Sequence, residues 1–85
     1  MKYCIANWKM NLTTSESKLF LEELQKKNLE NTKTKIILCP SFTSLNDIKS
    51  NLLSNNIELG AQNVHQKLKG AFTGEISIEM LKEIE

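Results

Sequence analysis

The stretch "KIILCP", Lys35 to Pro40, decides how this chain is read. Ile36, Ile37, Leu38 and Cys39 follow one another with no polar residue between them. A run this short, bounded by a proline, reads as a strand, and the lack of alternation predicts burial on both faces. Such strands belong to parallel sheets covered by helices. Upstream, Tyr3 to Ala6 reads as a second strand. Between the two, Thr13 and Glu16 stand at capping-box spacing before Leu19, Phe20 and Leu24, a helix start followed by an apolar face. Lys26 and Lys27 suit the negative pole at that helix's end.

Downstream, Leu45, Ile48 and Leu52 recur at helical spacing, with Ser44 or Thr43 as the expected N-cap. Asn55 and Asn56 are expected to end this helix, because Asn tolerates the left-handed conformation. Ile57 to Ala61 reads as a third strand, Val64 to Glu75 as a polar, glycine-bearing loop. Ser77 then caps a last helix carrying Met80, Leu81 and Ile84. The order strand, helix, strand, helix, strand, loop, helix gives an α/β class with parallel strands joined by right-handed crossovers. The apolar repeat of the last helix is still running at Glu85, and three parallel strands leave both sheet edges unpaired.

The chain has 85 residues, 40% hydrophobic and 25% charged, with a net charge of +1. That suits one small domain and gives no electrostatic case for nucleic acid or a membrane surface. No apolar run is long enough to span a bilayer, and Met1-Lys2-Tyr3-Cys4 lacks a signal-peptide pattern, so the expected location is the cytoplasm. Cys4 and Cys39 both fall within apolar strand-like runs, where they are expected as buried, reduced core residues. No G-x-G-x-x-G or G-x-x-x-x-G-K-[ST] motif and no Cys/His metal-ligand spacing is present, which leaves cofactor and metal chemistry without a sequence signal.

The first strand runs directly into "ANWKMN", Ala6 to Asn11. If the strand continues past Ala6, alternation places Asn7 and Lys9 on one face and Trp8 and Met10 on the other. An amide and an ammonium would then meet at the C-terminal end of a parallel strand, where α/β proteins bind ligands. A solvated Lys beside an Asn in a turn would give the same local pattern. "GAQNV", Gly60 to Val64, and "GAFTGEIS", Gly70 to Ser77, follow the third strand.

These three motifs, in this order and at these distances, resemble the triosephosphate isomerase family. The resemblance runs over the whole chain but covers only the first third of a (β/α)₈ barrel, which takes about 250 residues. It implies an incomplete TIM barrel: residues 1–85 would be the N-terminal part of the barrel domain, its first three βα units. The implied reaction is the interconversion of dihydroxyacetone phosphate and glyceraldehyde 3-phosphate in glycolysis and gluconeogenesis. It needs no cofactor and is carried out by a homodimer. This enzyme is a much-worked example of acid–base tuning, with a glutamate base and a neutral histidine that polarises the carbonyl.

Residue by residue, the resemblance makes Lys9 the catalytic and substrate-binding lysine and Asn7 a substrate-binding asparagine beside it. Met10 packs at the dimer interface, and Gln62 and Asn63 organise the end of the third strand. The loop from His65 to Glu75 is similar to the family's interdigitating loop, with Phe72, Thr73 and Glu75 at the interface. Ile78 replaces a proline common in the family, at little expected cost. His65 is not expected to be the electrophile, since it lies in the third loop, and is read as a solvated loop residue. No segment resembles the strands that carry the catalytic histidine and glutamate, so the chain alone is expected to be inactive. Two other readings stand beside this one. The chain could be a non-catalytic interaction module that pairs with an isomerase or completes a split barrel, or an unrelated three-stranded α/β binding domain.

Overall fold

The computed structural model describes residues 1–27 and 33–84. Three strands, β1 (Lys2–Asn7), β2 (Thr34–Cys39) and β3 (Ile57–Leu59), alternate with α1 (Thr14–Gln25), α2 (Phe42–Ser50) and α3 (Ile78–Ile84). All pairings are parallel and the strands lie side by side in chain order, β1-β2-β3. This is the β/α alternation of an incomplete (β/α)₈ barrel.

Helix α1 starts where its capping box demands. Thr13 accepts a hydrogen bond from the Glu16 amide, and the Glu16 carboxylate accepts one from the Thr13 amide at 2.8 Å. Helix α2 differs from the expectation. Its N-cap is Ser41, whose hydroxyl lies 2.9 Å from that of Thr43 rather than capping a backbone amide. Ser44 lies inside the helix, fully buried, with its hydroxyl 2.9 Å from that of Thr14 on α1. A helix–helix contact needed a small polar residue there, and local spacing mimics a cap. The helix also stops earlier, with Asn51 as C-cap at φ −104°. Neither Asn55 nor Asn56 has a positive φ. The turn after α2 is held instead by Gln25 of α1, which donates to the Asn51 carbonyl and accepts from the Leu53 and Ser54 amides.

Leu21, Leu38, Ile48 and Ile57 form the core, joined by half-buried Ala6, Trp8, Leu24, Ile36, Leu52 and Leu59. In the register Ala6 pairs with Leu38, Ile36 with Ile57, and Leu38 with Leu59, so these residues share the helix-covered face. The opposite face carries Tyr3, Ile5, Lys35, Ile37, Cys39 and Glu58. Tyr3 and Ile5 are more than half exposed there. The double-sided burial expected of "KIILCP" is therefore reached only at its C-terminal end, where Leu38, Cys39 and Pro40 are buried. Lys35 bridges the open face to Glu58 at 3.3 Å. Cys4 departs from its expected burial: among the described residues β1 pairs only with β2, and at this edge Cys4 is exposed.

Strand β3 is shorter than expected, but its ladder continues one step, with the Gly60 amide donating to the Leu38 carbonyl at 2.9 Å. Gly60 is required by close approach: a Cβ there would lie 2.9 Å from Cys39 Sγ and 3.2 Å from Ile37 Cγ2. Helix α3 has Ser77 at its start, with the hydroxyl accepting from the Met80 amide, and buries none of its own residues.

Candidate functional site at the C-terminal end of β1

The backbone leaves the β-region just after β1. Lys9 has φ +55° and Leu12 φ +68°, the only non-glycine residues with positive φ among those described. A left-handed lysine costs roughly 1–2 kcal/mol and persists only where its surroundings hold it. The strand alternation expected to run through Met10 therefore ends at Asn7. Asn7 and Lys9 are brought together by a different device: Asn7 Oδ1 accepts from the Lys9 amide at 2.9 Å, an Asx-type turn. Trp8 swings onto the helix side, where its ring meets Phe20 edge-on with centroids 5.3 Å apart. Met10 stands fully in solvent.

The backbone amides and carbonyls of Trp8 and Lys9 each have a partner. The Trp8 amide donates to the Cys39 carbonyl at 3.1 Å, and the Trp8 carbonyl accepts from Asn11 Nδ2 at 2.9 Å. The Lys9 carbonyl accepts from Gln62 Nε2 at 2.9 Å, and the same nitrogen donates to the Cys39 carbonyl at 3.0 Å. The ends of β1, β2 and β3 are thus tied at one point. The Lys9 side chain is exposed and makes no hydrogen bond or ion pair among the described residues. The turn presents a free ammonium on a fixed backbone.

The loop from His65 to Glu75 is organised by its own rings. The His65 amide donates to the Ile76 carbonyl at 2.8 Å and closes the loop's base. His65 is not the solvated residue expected. It is half-buried, its ring stacks on Phe72 with centroids 4.3 Å apart, and its Nδ1 accepts from the Lys67 amide at 3.0 Å. Lys67 Nζ lies 5.8 Å from the Phe72 centroid. Gly70, at φ +149°, leaves room for that ring, since a Cβ there would overlap Phe72. Thr73 and Glu75 are exposed beyond it. No hydrogen bond or ion pair among the described residues joins Phe72, Thr73 or Glu75 to Asn7 or Lys9.

Burial pushes the Cys39 thiol up from its ordinary pKa. Among the described residues no three His, Cys, Asp or Glu side chains are grouped to hold a metal ion, and no helix is long and apolar enough to cross a membrane. The sequence reading missed the shared carbonyl contacts of Gln62. Their only local signal is an amide side chain just past a strand end.

The family model described as triosephosphate isomerase matches residues 2–85. A triosephosphate isomerase of Alkaliphilus metalliredigens is 49% identical over 78 residues, 92% of this chain and 31% of that protein. One from the Wolbachia of Brugia malayi is 51% identical over 81 residues, 94% of this chain and 33% of its own length. One from Aquifex aeolicus is 44% identical over 79 residues, 93% of this chain and 32% of its own. The chain spans about a third of the length of these relatives. With a family match over almost every residue and parallel βα units in barrel order, the chain belongs to the triosephosphate isomerase family.

Proposed function

We propose that this chain supplies the first three βα units of a barrel that interconverts dihydroxyacetone phosphate and glyceraldehyde 3-phosphate, with Lys9 as a catalytic residue. The supporting observation is the Lys9 turn: a left-handed backbone held by Asn7 and Gln62, carrying an ammonium with no partner among the described residues. A fixed positive charge of this kind stabilises a substrate phosphate and the negative charge that develops on the reacting oxygens. Asn7 supplies an amide beside it. The general base and the electrophile come from strands beyond this chain, so residues 1–85 alone are expected to give no turnover. Phe72, Thr73 and Glu75, with Met10, form the surface by which two barrels pair in the cytoplasm. The reaction moves a proton between adjacent carbons and draws on no cofactor.

The test joins residues 1–85 to the remaining barrel of the Alkaliphilus relative and compares this graft with its Lys9→Met variant. Methionine keeps much of the stem and removes the charge. Losing one preorganised electrostatic contact costs about 2.7–4 kcal/mol, or roughly a hundred- to thousandfold in rate. A solvated cation would change stability or rate by no more than about 0.5 kcal/mol. An active graft whose Lys9→Met variant keeps its kcat/KM refutes the assignment.

A further inference from the structure

We propose that His65 is an acid-sensitive latch on the loop from His65 to Glu75, holding it folded for pairing with a second copy and releasing it on protonation. The inference rests on the reading of that loop as a pairing surface given above. It is carried by three contacts that converge on one residue. Nδ1 of His65 accepts from the Lys67 amide at 3.0 Å. The ring stacks on Phe72 with centroids 4.3 Å apart, and the His65 amide donates to the Ile76 carbonyl at 2.8 Å. Gly70, at φ +149°, lets the chain fold over the Phe72 ring, which a Cβ there would overlap. The loop is thus shaped by its own residues, and such preordering lowers the entropy that pairing must offset.

An imidazole nitrogen accepts a hydrogen bond only while it carries no proton, and imidazole changes charge between about pH 5 and 8. A proton on Nδ1 turns the acceptor into a donor that faces the donating Lys67 amide. The charged groups around the ring are Lys67, Lys69 and Glu75, which line the same hollow. Helix α3 contributes Met80 to it and no charge. The two ammonium groups oppose a further positive charge there and the Glu75 carboxylate favours one. The Lys67 amide, in direct contact, sets the sign: acid disfavours the closed loop. The latch's contribution is full above the imidazole range and is lost as pH falls through it. Losing one hydrogen bond shifts an equilibrium about fivefold. A symmetric pair carries two such loops, so the effect on its dissociation constant is about twenty-fivefold.

The experiment is fluorescence-detected sedimentation of the grafted barrel at pH 8 and pH 5.5. His65→Asn places a carboxamide oxygen near the Nδ1 position and does not titrate. Every other titrating group is common to the two proteins. From pH 8 to pH 5.5 the parent's dimer dissociation constant is expected to rise about twenty-fivefold more than that of His65→Asn. His65→Phe keeps a ring for the Phe72 stack and removes the acceptor, so it should pair more weakly than the parent at pH 8. A residue that merely filled space would give no such split. Selectively labelled lysine reports the latch itself: the Lys67 amide resonance should leave its hydrogen-bonded position in acid in the parent and keep it in His65→Asn.

Equal pH dependence in the parent and His65→Asn would overturn the inference and leave the pairing surface standing, as would a His65→Phe variant that pairs as tightly as the parent at pH 8. Should His65→Phe fail to fold, the parent and His65→Asn carry the comparison. A graft that stays monomeric at both pH values refutes the pairing reading first. The Lys67 amide then decides alone whether His65 latches the loop, and an amide unmoved by acid overturns that too.

Discussion

Replacing Gly60 by alanine tests the packing of the open sheet face directly. The added methyl would sit 2.9 Å from Cys39 Sγ and 3.2 Å from Ile37 Cγ2. Non-bonded heavy atoms prefer about 3.5–4.0 Å, so the sulfur contact is roughly 0.6 Å too short. The backbone at Gly60 is outside the left-handed region, so the cost is steric and not conformational. Cys39 is only 8% exposed and has little room to yield. Overpacking of this kind costs about 1–3 kcal/mol. With a urea slope of about 1–3 kcal/mol per molar, a 2 kcal/mol loss lowers the unfolding midpoint by roughly 1 M. Cys39→Ala removes the closer obstacle and itself loses about 1 kcal/mol of buried contact. The double variant should be nearly as stable as Cys39→Ala alone, a coupling of more than 1 kcal/mol. Urea unfolding of the grafted barrel, followed by far-ultraviolet circular dichroism at one protein concentration, measures all four corners. Losses that add to within about 0.5 kcal/mol, or a Gly60→Ala midpoint equal to the parent's, would refute the reasoning.

Thr13→Ala removes the α1 cap and should cost about 1 kcal/mol in the same urea assay. Glu16 is held below the usual carboxylate range, first by the Thr13 amide and then by the Thr13 hydroxyl. Its folded pKa lies below its unfolded value of about 4.3, so its contribution is full above that pH and fades as pH falls through the folded value. The midpoint gap between the parent and Glu16→Ala should therefore stay level from pH 7 to about 5.5 and narrow below about pH 4; a gap that widens in acid would contradict the capping box. Iodoacetamide at pH 8 should label exposed Cys4 well before buried Cys39, whose thiol is also pushed up in pKa, as read by mass spectrometry; equal rates would show that the β2 end is open.

What the sequence made legible was local. The α1 start was written in Thr13 and Glu16, which lie three residues apart and satisfy each other. "KIILCP" announced a parallel strand because unbroken apolar runs have few other uses. Several of the misreadings involve partners distant in sequence. Ser44 has the composition of a cap but bonds Thr14 across 30 residues. Asn55 and Asn56 looked like a helix stop, while Gln25 on α1 organised the turn next to Asn51. Cys4 sits in a strand of good apolar character that happens to be an edge. At the site, "ANWKMN" suggested that Asn7 and Lys9 meet through strand alternation, but alternation stops at Asn7 and a side-chain-closed turn does the gathering. Gln62 could be placed at a strand end, but not on the Lys9 carbonyl, because only the tertiary fold brings residues 53 apart together.

The side-by-side order of the strands also sets a schedule for synthesis. β1 and β2 pair residues about thirty positions apart, and β2 and β3 pair residues about twenty apart. The entropy of closing those two loops differs by only about 0.4 kcal/mol, too little to favour either pairing strongly. Time separates them instead. At about 5–20 residues per second, β3 leaves the ribosome one to a few seconds after β2, far longer than a chain of this size needs to collapse. The first βαβ unit, with its capped helix, therefore has the opportunity to close before its next neighbour exists, and each later strand meets an edge already waiting for it.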